Sequence, residues 1–331
     1  MNNLIKITFF VFLLSCGQDI TYENNIKEDL IFLADDKLEG RKTGTEGEKL
    51  AAKYISERFE KLNLSDKGTE NYFQDFYFGN NNNPHEEIEF NKDSDNSQIH
   101  ARNVVGFLDN GGSNTVVIGA HYDHLGYGEE SSLYFGDEVL IHNGADDNAS
   151  GTSLLLDLAN RLATKELKSN YLFIAFSGEE MGLLGSNYFL KNPTVSKNEI
   201  NYMINMDMVG RLNEDNKLSV SGVGSAKIFK QIVNSNNSNF NLVEFGSSST
   251  SSFGSSDHAS FYYEDIPVLS FFTGQHEDYH KPSDDYDKIN FEGIELISDY
   301  IEDIIEELDS MDKLEFIKAE ETKNATPRFK V

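Results

Sequence analysis

Seven residues spread through the middle of the chain have side chains suited to one piece of chemistry: His121, Asp123, Asp147, Glu179, Glu180, Asp207 and His280. Five of them (His121, Asp147, Glu180, Asp207 and His280) offer two imidazoles and three carboxylates, a donor set without sulfur. Such a set suits Zn²⁺, with Co²⁺ or Mn²⁺ as substitutes. Five donors are too many for a single catalytic zinc, which keeps three protein ligands and an open position. They fit two cations that share one carboxylate, and the charge then closes, because two divalent ions offset three carboxylates and one hydroxide. A pair about 3.5–4 Å apart can both make a nucleophile and polarise a carbonyl. Glu179 stands beside a candidate ligand and is placed to take a proton from water and pass it to a leaving amine. Asp123 is two residues from His121, a spacing that lets it bond the other ring nitrogen and fix the tautomer. Asp146 and Asp147 are adjacent, and either could be the shared carboxylate.

These residues fall where predicted strands end. Apolar runs predict strands at 103–108, 115–120, 171–176, 202–206, 217–221 and 267–272, and helices follow Gly151 and Glu180. Near-continuous apolar strands are expected when helices cover both faces of a sheet. Alternating strands and helices therefore predict an α/β three-layer sandwich with a mostly parallel, mixed central sheet. In such sheets ligands collect at the carboxyl ends of the strands. Two further helices are predicted at about 26–35 and from Thr45, where Thr45 and Glu48 are spaced as a capping box. Ile294, Ile297, Ile301, Ile304, Ile305 and Leu308 recur at helical spacing and predict a helix over 291–310. Residues 80–97 read as a loop or short hairpin.

Composition excludes several functions. The chain has 331 residues, 28 Lys+Arg against 56 Asp+Glu, and a formal net charge of −28. That balance excludes binding to nucleic acid through phosphate contacts, which need a basic surface. One cysteine excludes an internal disulfide framework and thiolate zinc sites. That residue, Cys16, ends a short apolar run, Ile7 to Leu14, preceded by Lys6. Eight apolar residues are too few to span a bilayer but suit a secretory segment. The domain reading is a signal peptide at 1–15, a tether at 16–25, a single main domain at 26–311 that carries the seven residues, and an extension at 312–331. Leu13-Leu14-Ser15-Cys16 resembles a bacterial lipoprotein processing site, which implies an exported protein, periplasmic or at the cell surface, held to the membrane only by lipidated Cys16.

Five motifs resemble, in order, those of the co-catalytic di-zinc aminopeptidase family. They are His121-Tyr-Asp123, Gly144-Ala-Asp146-Asp147-Asn148-Ala-Ser-Gly151, Ser177-Gly-Glu179-Glu180-Met-Gly-Leu-Leu-Gly185, Asn205-Met-Asp207-Met-Val-Gly210 and Tyr279-His280-Lys-Pro. Leu38-Glu-Gly-Arg-Lys-Thr-Gly44 is similar to the entry segment of bacterial members. The likeness covers about residues 26–310. It implies that His121 and Asp207 hold one zinc, Glu180 and His280 the other, and Asp147 bridges. Glu179 matches the general base, Asp123 the partner of the first histidine, and Tyr279 a tyrosine that in some branches bonds the oxyanion. The implied protein is a monomeric aminopeptidase acting on peptides. The family also holds carboxypeptidases, glutaminyl cyclases and non-enzymatic transferrin receptors, so a carboxypeptidase, a dipeptidase, a cyclase or a binding ectodomain are the alternatives. Carboxypeptidase recognition needs a cation, for which Arg41, Arg102 and Arg211 are available.

Other polar residues carry less. His124 and His142 match no family role and read as loop groups or neighbours of ligands. Ser256-Asp257-His258 lacks a nucleophile elbow; it resembles a family segment near the substrate pocket, which implies a structural role. Ser247–Ser256 reads as a flexible loop. Between Leu64 and His100 there is no room for the insert carried by some relatives, so one catalytic domain is expected.

Overall fold

The computed structural model describes residues 24–79, 90–91, 98–245 and 256–318. The expected signal segment, Cys16, most of the tether and nearly all of the Ser247–Ser256 loop lie outside these residues. So do most of 80–97 and the end of the C-terminal extension. Ten strands form one sheet: β1 (Ser65–Asp66), β2 (Phe73–Gly79), β3 (Phe90–Asn91), β4 (Gln98–Leu108), β5 (Thr115–His121), β6 (Asn170–Phe176), β7 (Ile200–Met206), β8 (Lys217–Ser221), β9 (Asn241–Phe245) and β10 (Val268–Phe272). The α-helices are α1 (Ile26–Leu33), α2 (Glu46–Lys61), α3 (Gly151–Ala163), α4 (Leu184–Lys191), α5 (Phe229–Ser235), α6 (His258–Tyr263) and α7 (Phe291–Asp309).

The strand order is β3-β2-β4-β6-β5-β7-β10-β8-β9, with β1 paired to β4. The expected mixed sheet is present. Its parallel centre is β6-β5-β7-β10, and β8-β9 is also parallel. The flanks pair antiparallel, at β2-β3, β2-β4, β4-β6 and β8-β10. The sheet as a whole is therefore less parallel than the apolar runs suggest. The difference lies in β4, which pairs antiparallel with β1, β2 and β6, and in β8, which pairs antiparallel with β10; an apolar run marks a strand without fixing its direction.

Side chains that alternate along the central strands feed two cores. Val116, Ile118 and Ala120 of β5 pack with α1, α2, α3 and α7, whereas Val117 faces α4 and α6 with Leu172, Phe189 and Phe261. Every residue of β5 is buried, as in a strand covered on both faces. Helix α7 buries Ile294, Ile297, Ile301, Ile304, Ile305 and Leu308. Burying each such side chain contributes roughly 1.5–3 kcal/mol. Part of its acidic face is paired, since Arg161 donates to Asp299 at 2.7 Å and Glu302 at 2.8 Å. At the C-terminal end, Ile317 N–H donates to Ser225 O at 2.8 Å, so the start of the extension lies along the domain.

Two buried groups tie the N-terminal segment to the strand ends. Arg41 is fully buried, and its guanidinium donates only to main-chain carbonyls. Nε reaches Tyr122 O at 2.7 Å, Nη1 reaches Asn143 O at 2.7 Å and also Leu33 O, and Nη2 reaches Gly144 O at 3.1 Å. The preceding Gly40 has φ +67°, and a Cβ there would lie 2.4 Å from His142 O, so only glycine fits. The second group is Glu48. Thr45 Oγ1 caps α2 by accepting from Glu48 N–H at 3.4 Å, as expected. The Glu48 carboxyl does not reach back to Thr45, however. It accepts from Gly44 N–H at 2.5 Å, meets Tyr122 Oη at 3.2 Å, and bonds Ser177 Oγ.

Both groups give measurable expectations. Burial pushes the Glu48 carboxyl up to about 8. The folded chain therefore holds a proton that the unfolded chain releases above the ordinary carboxylate pKa. The associated stability is present below that pKa and is lost as pH rises through about 8. Glu48→Gln keeps the shape and removes the titration. The melting temperature of the wild type should fall relative to this variant between pH 5 and 9, and parallel curves would refute the assignment. Arg41→Met leaves four buried carbonyls without their donor and should cost more than about 3 kcal/mol in denaturant unfolding. Arg41→Lys, with one nitrogen in place of a fork, should fall between the two. A loss below about 1 kcal/mol for the methionine variant would show that water replaces the clamp.

Candidate active site

The side chains singled out by type and spacing converge at the carboxyl ends of the parallel strands. His121 is the last residue of β5, Glu179 and Glu180 follow β6, and Asp207 follows β7. Tyr279 and His280 lie in the segment after β10, and Asp147 lies in the tight turn that opens α3. That turn starts at Gly144, whose φ is +55° and where a Cβ would sit 2.1 Å from Asp147 O and 2.4 Å from the His124 ring. A cis peptide joins Asp147 to Asn148.

Asp147 divides its two oxygens between the histidines. Oδ1 lies 3.3 Å from His121 Nε2, which is also 3.5 Å from Asp207 Oδ1. Oδ2 lies 3.2 Å from His280 Nε2, which is also 3.3 Å from Glu180 Oε2. The result is two donor groups with Asp147 common to both. Donors about 2.0–2.1 Å from a tetrahedral centre stand roughly 3.3–3.4 Å from one another, so these separations suit divalent cations. Donor atoms of His121, Asp147 and Asp207 lie within 4.8 Å of one another, as do those of His124, Asp147 and Glu180.

The neighbours of this set are fixed by hydrogen bonds. Asp123 is buried, and its main-chain oxygen is 3.2 Å from His121 Nδ1, while its carboxylate stands off at 3.7 Å. The carboxylate instead accepts from Glu179 N–H at 3.2 Å and from Thr43 Oγ1 at 2.9 Å. It therefore holds the main chain of Glu179 as well as standing near the first imidazole. Asp146 faces away from the donor groups. It accepts from Gly210 N–H at 2.6 Å and Ser150 Oγ at 3.1 Å, and meets His276 Nε2 at 3.0 Å. Asp284 accepts the N–H groups of both Asp146 and Asp147, each at 3.0 Å.

Electrostatics follow from burial and this crowding. Burial would depress the His121 imidazole, but Glu179 and Asp207 hold it well above its ordinary value. The same contest sets His280 at about 10, with Asp147 and Glu180 outweighing burial. Against the upward push of burial, His121 and His280 hold the Asp147 carboxyl well below the usual range. Burial carries Glu179 well above that range despite His121. Tyr279 stacks on His280 at 3.8 Å, and burial with Asp147 and Glu180 pushes its phenol upward, so it keeps its proton.

The groups border a cleft of about 230 Å³. Asp147, Glu179, Glu180 and Asp207 line one part, with Tyr279 and His280 beside them. Met208 and Phe272 form an apolar wall, and Ser221, Ser256, Ser270 and Gln275 add neutral polar groups. Of the Ser256-Asp257-His258 run, Ser256 and His258 line the cleft. Ser256 Oγ accepts from Asn205 Nδ2 at 3.0 Å. His142 lies apart, with Nε2 2.8 Å from Ser132 Oγ. His124 lies close, with Nδ1 2.8 Å from Glu180 Oε1. Two participants were not singled out from sequence, His276 and Asp284, and Asp257 was read only as part of the Ser256-Asp257-His258 run. Asp257 is buried with neither carboxylate oxygen hydrogen-bonded, and burial pushes it up to about 7. Asp284, four residues beyond His280 in an acidic run, offered the clearest signal.

Comparison with known proteins agrees with this geometry. A 175-residue stretch is 32% identical to aminopeptidase YwaD of Bacillus subtilis (strain 168), covering 50% of this chain and 38% of that protein. The chain spans less than half the length of the curated relatives it matches. The fold resembles a Zn-dependent exopeptidase from Parabacteroides distasonis, with a TM-score of 0.67 and 18% identity over 87% of this chain and 99% of that one. It equally resembles a glutaminyl cyclase from Bacteroides thetaiotaomicron, with a TM-score of 0.65 and 16% identity over 86% and 99%. At such identities the likeness concerns the fold alone. The sequence profile of peptidase family M28 matches residues 103–305, the span that carries every donor of the two groups, and the chain belongs to that family.

Proposed function

We propose that the chain is a metal-dependent aminopeptidase that removes the N-terminal residue of peptides with two zinc ions. The observation that carries this reading is the sign of the cleft. Four carboxylates line it, and among the described residues no lysine or arginine does. The arginines that could receive a substrate carboxylate are engaged elsewhere. Arg41 serves main-chain carbonyls, Arg102 Nε lies 3.0 Å from Asp75 Oδ1, and Arg211 Nη2 lies 2.6 Å from Asp278 Oδ2. With two cations offsetting the three donor-group carboxylates and a hydroxide, Glu179 remains to attract a free α-ammonium and to repel a C-terminal carboxylate, and no cationic side chain of the described lining would receive the latter, which disfavours the carboxypeptidase alternative.

In this reading His121, Asp207 and Asp147 Oδ1 would hold one cation, and His280, Glu180 and Asp147 Oδ2 the other. Bound together, the two cations supply a nucleophile at neutral pH and polarise the scissile carbonyl. Glu179 accepts the proton of the attacking water at its carboxylate and returns it to the leaving amine nitrogen. Its burial raises its proton affinity, which suits a group that holds the proton between those events. Tyr279 keeps its phenol proton and donates a hydrogen bond to the developing oxyanion. Met208 and Phe272 wall the pocket that receives the substrate's first side chain and keep water from it.

Chromogenic aminoacyl substrates with a free amine, supplied with zinc or cobalt, should be cleaved, and N-acetylated counterparts should be slower by about 100-fold or more, as for a lost charge pairing worth about 3 kcal/mol. Equal cleavage of both would overturn the aminopeptidase reading. Cyclisation of N-terminal glutamine with one zinc per chain would establish the cyclase instead. Glu179→Gln should keep both zinc ions and lose about 10²–10⁴-fold in kcat. Normal turnover by that variant with its metal retained would remove Glu179 from the role of base.

A further inference from the structure

Glu180 gives its two oxygens to different histidines. Oε2 lies 3.3 Å from His280 Nε2, on the side of the shared Asp147. Oε1 lies 2.8 Å from His124 Nδ1. We propose that His124 is a positioning residue that holds Glu180 Oε1, so that Oε2 alone is presented to the second cation. This inference rests on the two-cation reading above and adds to it a residue that carries no assigned role.

Three observations support it. The His124 side chain has no exposed surface, so it meets no bulk water and its orientation is set by packing. Its ring lies against Gly144, where a Cβ would stand 2.4 Å from Cδ2, and meets the His280 ring edge-on at 5.9 Å. Its main chain is also held, with His124 N–H donating to Arg41 O at 3.3 Å. The tautomer follows from the partners. Nε2 is buried and has no hydrogen-bond partner. A proton there would be a buried donor without an acceptor, so it sits on Nδ1 and is donated to Glu180. The distance to the shared carboxylate separates the two roles. His124 Nδ1 is 4.0 Å from Asp147 Oδ2, whereas His280 Nε2 is 3.2 Å from it. His280 is thus in the donor group, and His124 stands behind Glu180. Groups that orient a metal-binding carboxylate or imidazole in this way typically change affinity by about 10–100-fold when removed.

The test uses the full chain and reads metal binding, not turnover. Wild type, His124→Ala, His124→Gln and His280→Ala are titrated with zinc in chelator-buffered solution, and cobalt-loaded samples are compared by visible absorption. Near-ultraviolet circular dichroism of each metal-free chain checks folding. The wild type should take two ions and His280→Ala one. His124→Ala should still take two at saturation, the weaker one at about 10–100-fold lower affinity and with a changed cobalt spectrum. His124→Gln, whose amide can donate to Oε1, should recover most of the affinity. Wild-type affinity and spectrum in His124→Ala would overturn the assignment. Loss of one ion even at saturation, as in His280→Ala, would make His124 a ligand and also overturn it. A wild-type chain that binds fewer than two ions would overturn the two-cation reading, and this assignment with it.

Discussion

Carboxylates are crowded at the ends of β5, β6 and β7 in a region that excludes bulk water. Asp123, Asp146, Asp147, Asp257 and Asp284 are buried there, and Glu179, Glu180 and Asp207 open onto the same cleft. An ionised carboxylate taken out of water without a partner costs on the order of several kcal/mol. Each of these groups must therefore be protonated, paired or supplied with hydrogen-bond donors, and the shifts report which. Asp147 is paired, being held low by His121 and His280 against the effect of burial. Burial drives Glu179 and Asp257 upward from the usual carboxylate range. Asp284 relies on main-chain N–H groups, yet burial and Asp146 still raise it to about 6. The imidazoles raised at His121 and His280 occupy the positions where positive charge is most needed. Those are also the positions from which each would bind a cation.

That local solution depends on main-chain geometry, and here Arg41 is central. It carries a full charge into the interior without touching a carboxylate, and spends its donors on the carbonyls of Leu33, Tyr122, Asn143 and Gly144. Tyr122 adjoins His121, and Gly144 begins the turn that carries Asp147. One planar fork thus relates the first imidazole to the shared carboxylate, and the end of α1 to both. Burial lowers Arg41 only to about 10, because Asp123 and Asp147 favour its charged form, so it remains a cation at neutral pH. The clamp and the acidic groups stabilise one another: the charge offsets nearby carboxylates, and the carbonyls it gathers set their spacing.

Much of this was legible in the sequence, for a physical reason. Parallel central strands buried on both faces must be largely apolar along their length, so the first imidazole or charged side chain after each one marks an exit. His121, Glu179 and Asp207 stand out on that basis alone. Residue type alone left Asp146 and Asp147 open, because adjacent residues differ only in the direction their side chains take; the family resemblance chose Asp147. Asp146 turns to Gly210 and His276, and Asp147 to the two histidines. His276 and Asp284 were hidden for a related reason, since each acts on partners at least 130 residues away in sequence. Glu48 was read correctly as part of a helix start. Its carboxyl, however, bonds Ser177, 129 residues distant, which no local pattern encodes. The edge-region strands β2 and β9 lack the double burial that makes the central strands conspicuous.

The large net charge of −28 and the acidic cleft are separate facts with different consequences. Surface carboxylates are screened over about 8 Å at physiological ionic strength, so most of the net charge is not felt at the site. Some of it is also neutralised locally, as where Arg161 and Lys165 meet Asp299, Glu302 and Glu306 beside α7. The four carboxylates of the cleft are different, because they are close together and partly desolvated, and such charges are weakly screened. Two divalent cations would offset the three carboxylates of the donor groups and one hydroxide, and leave Glu179 as the remaining negative charge facing the substrate. A peptide entering with its α-ammonium leading then meets one opposite charge at the place where the proton must be moved. A peptide entering with its carboxylate leading meets a like charge, and no arginine or lysine of the described lining compensates for it. Under the proposed reading, the residue that serves as base therefore also selects which end of the chain is presented.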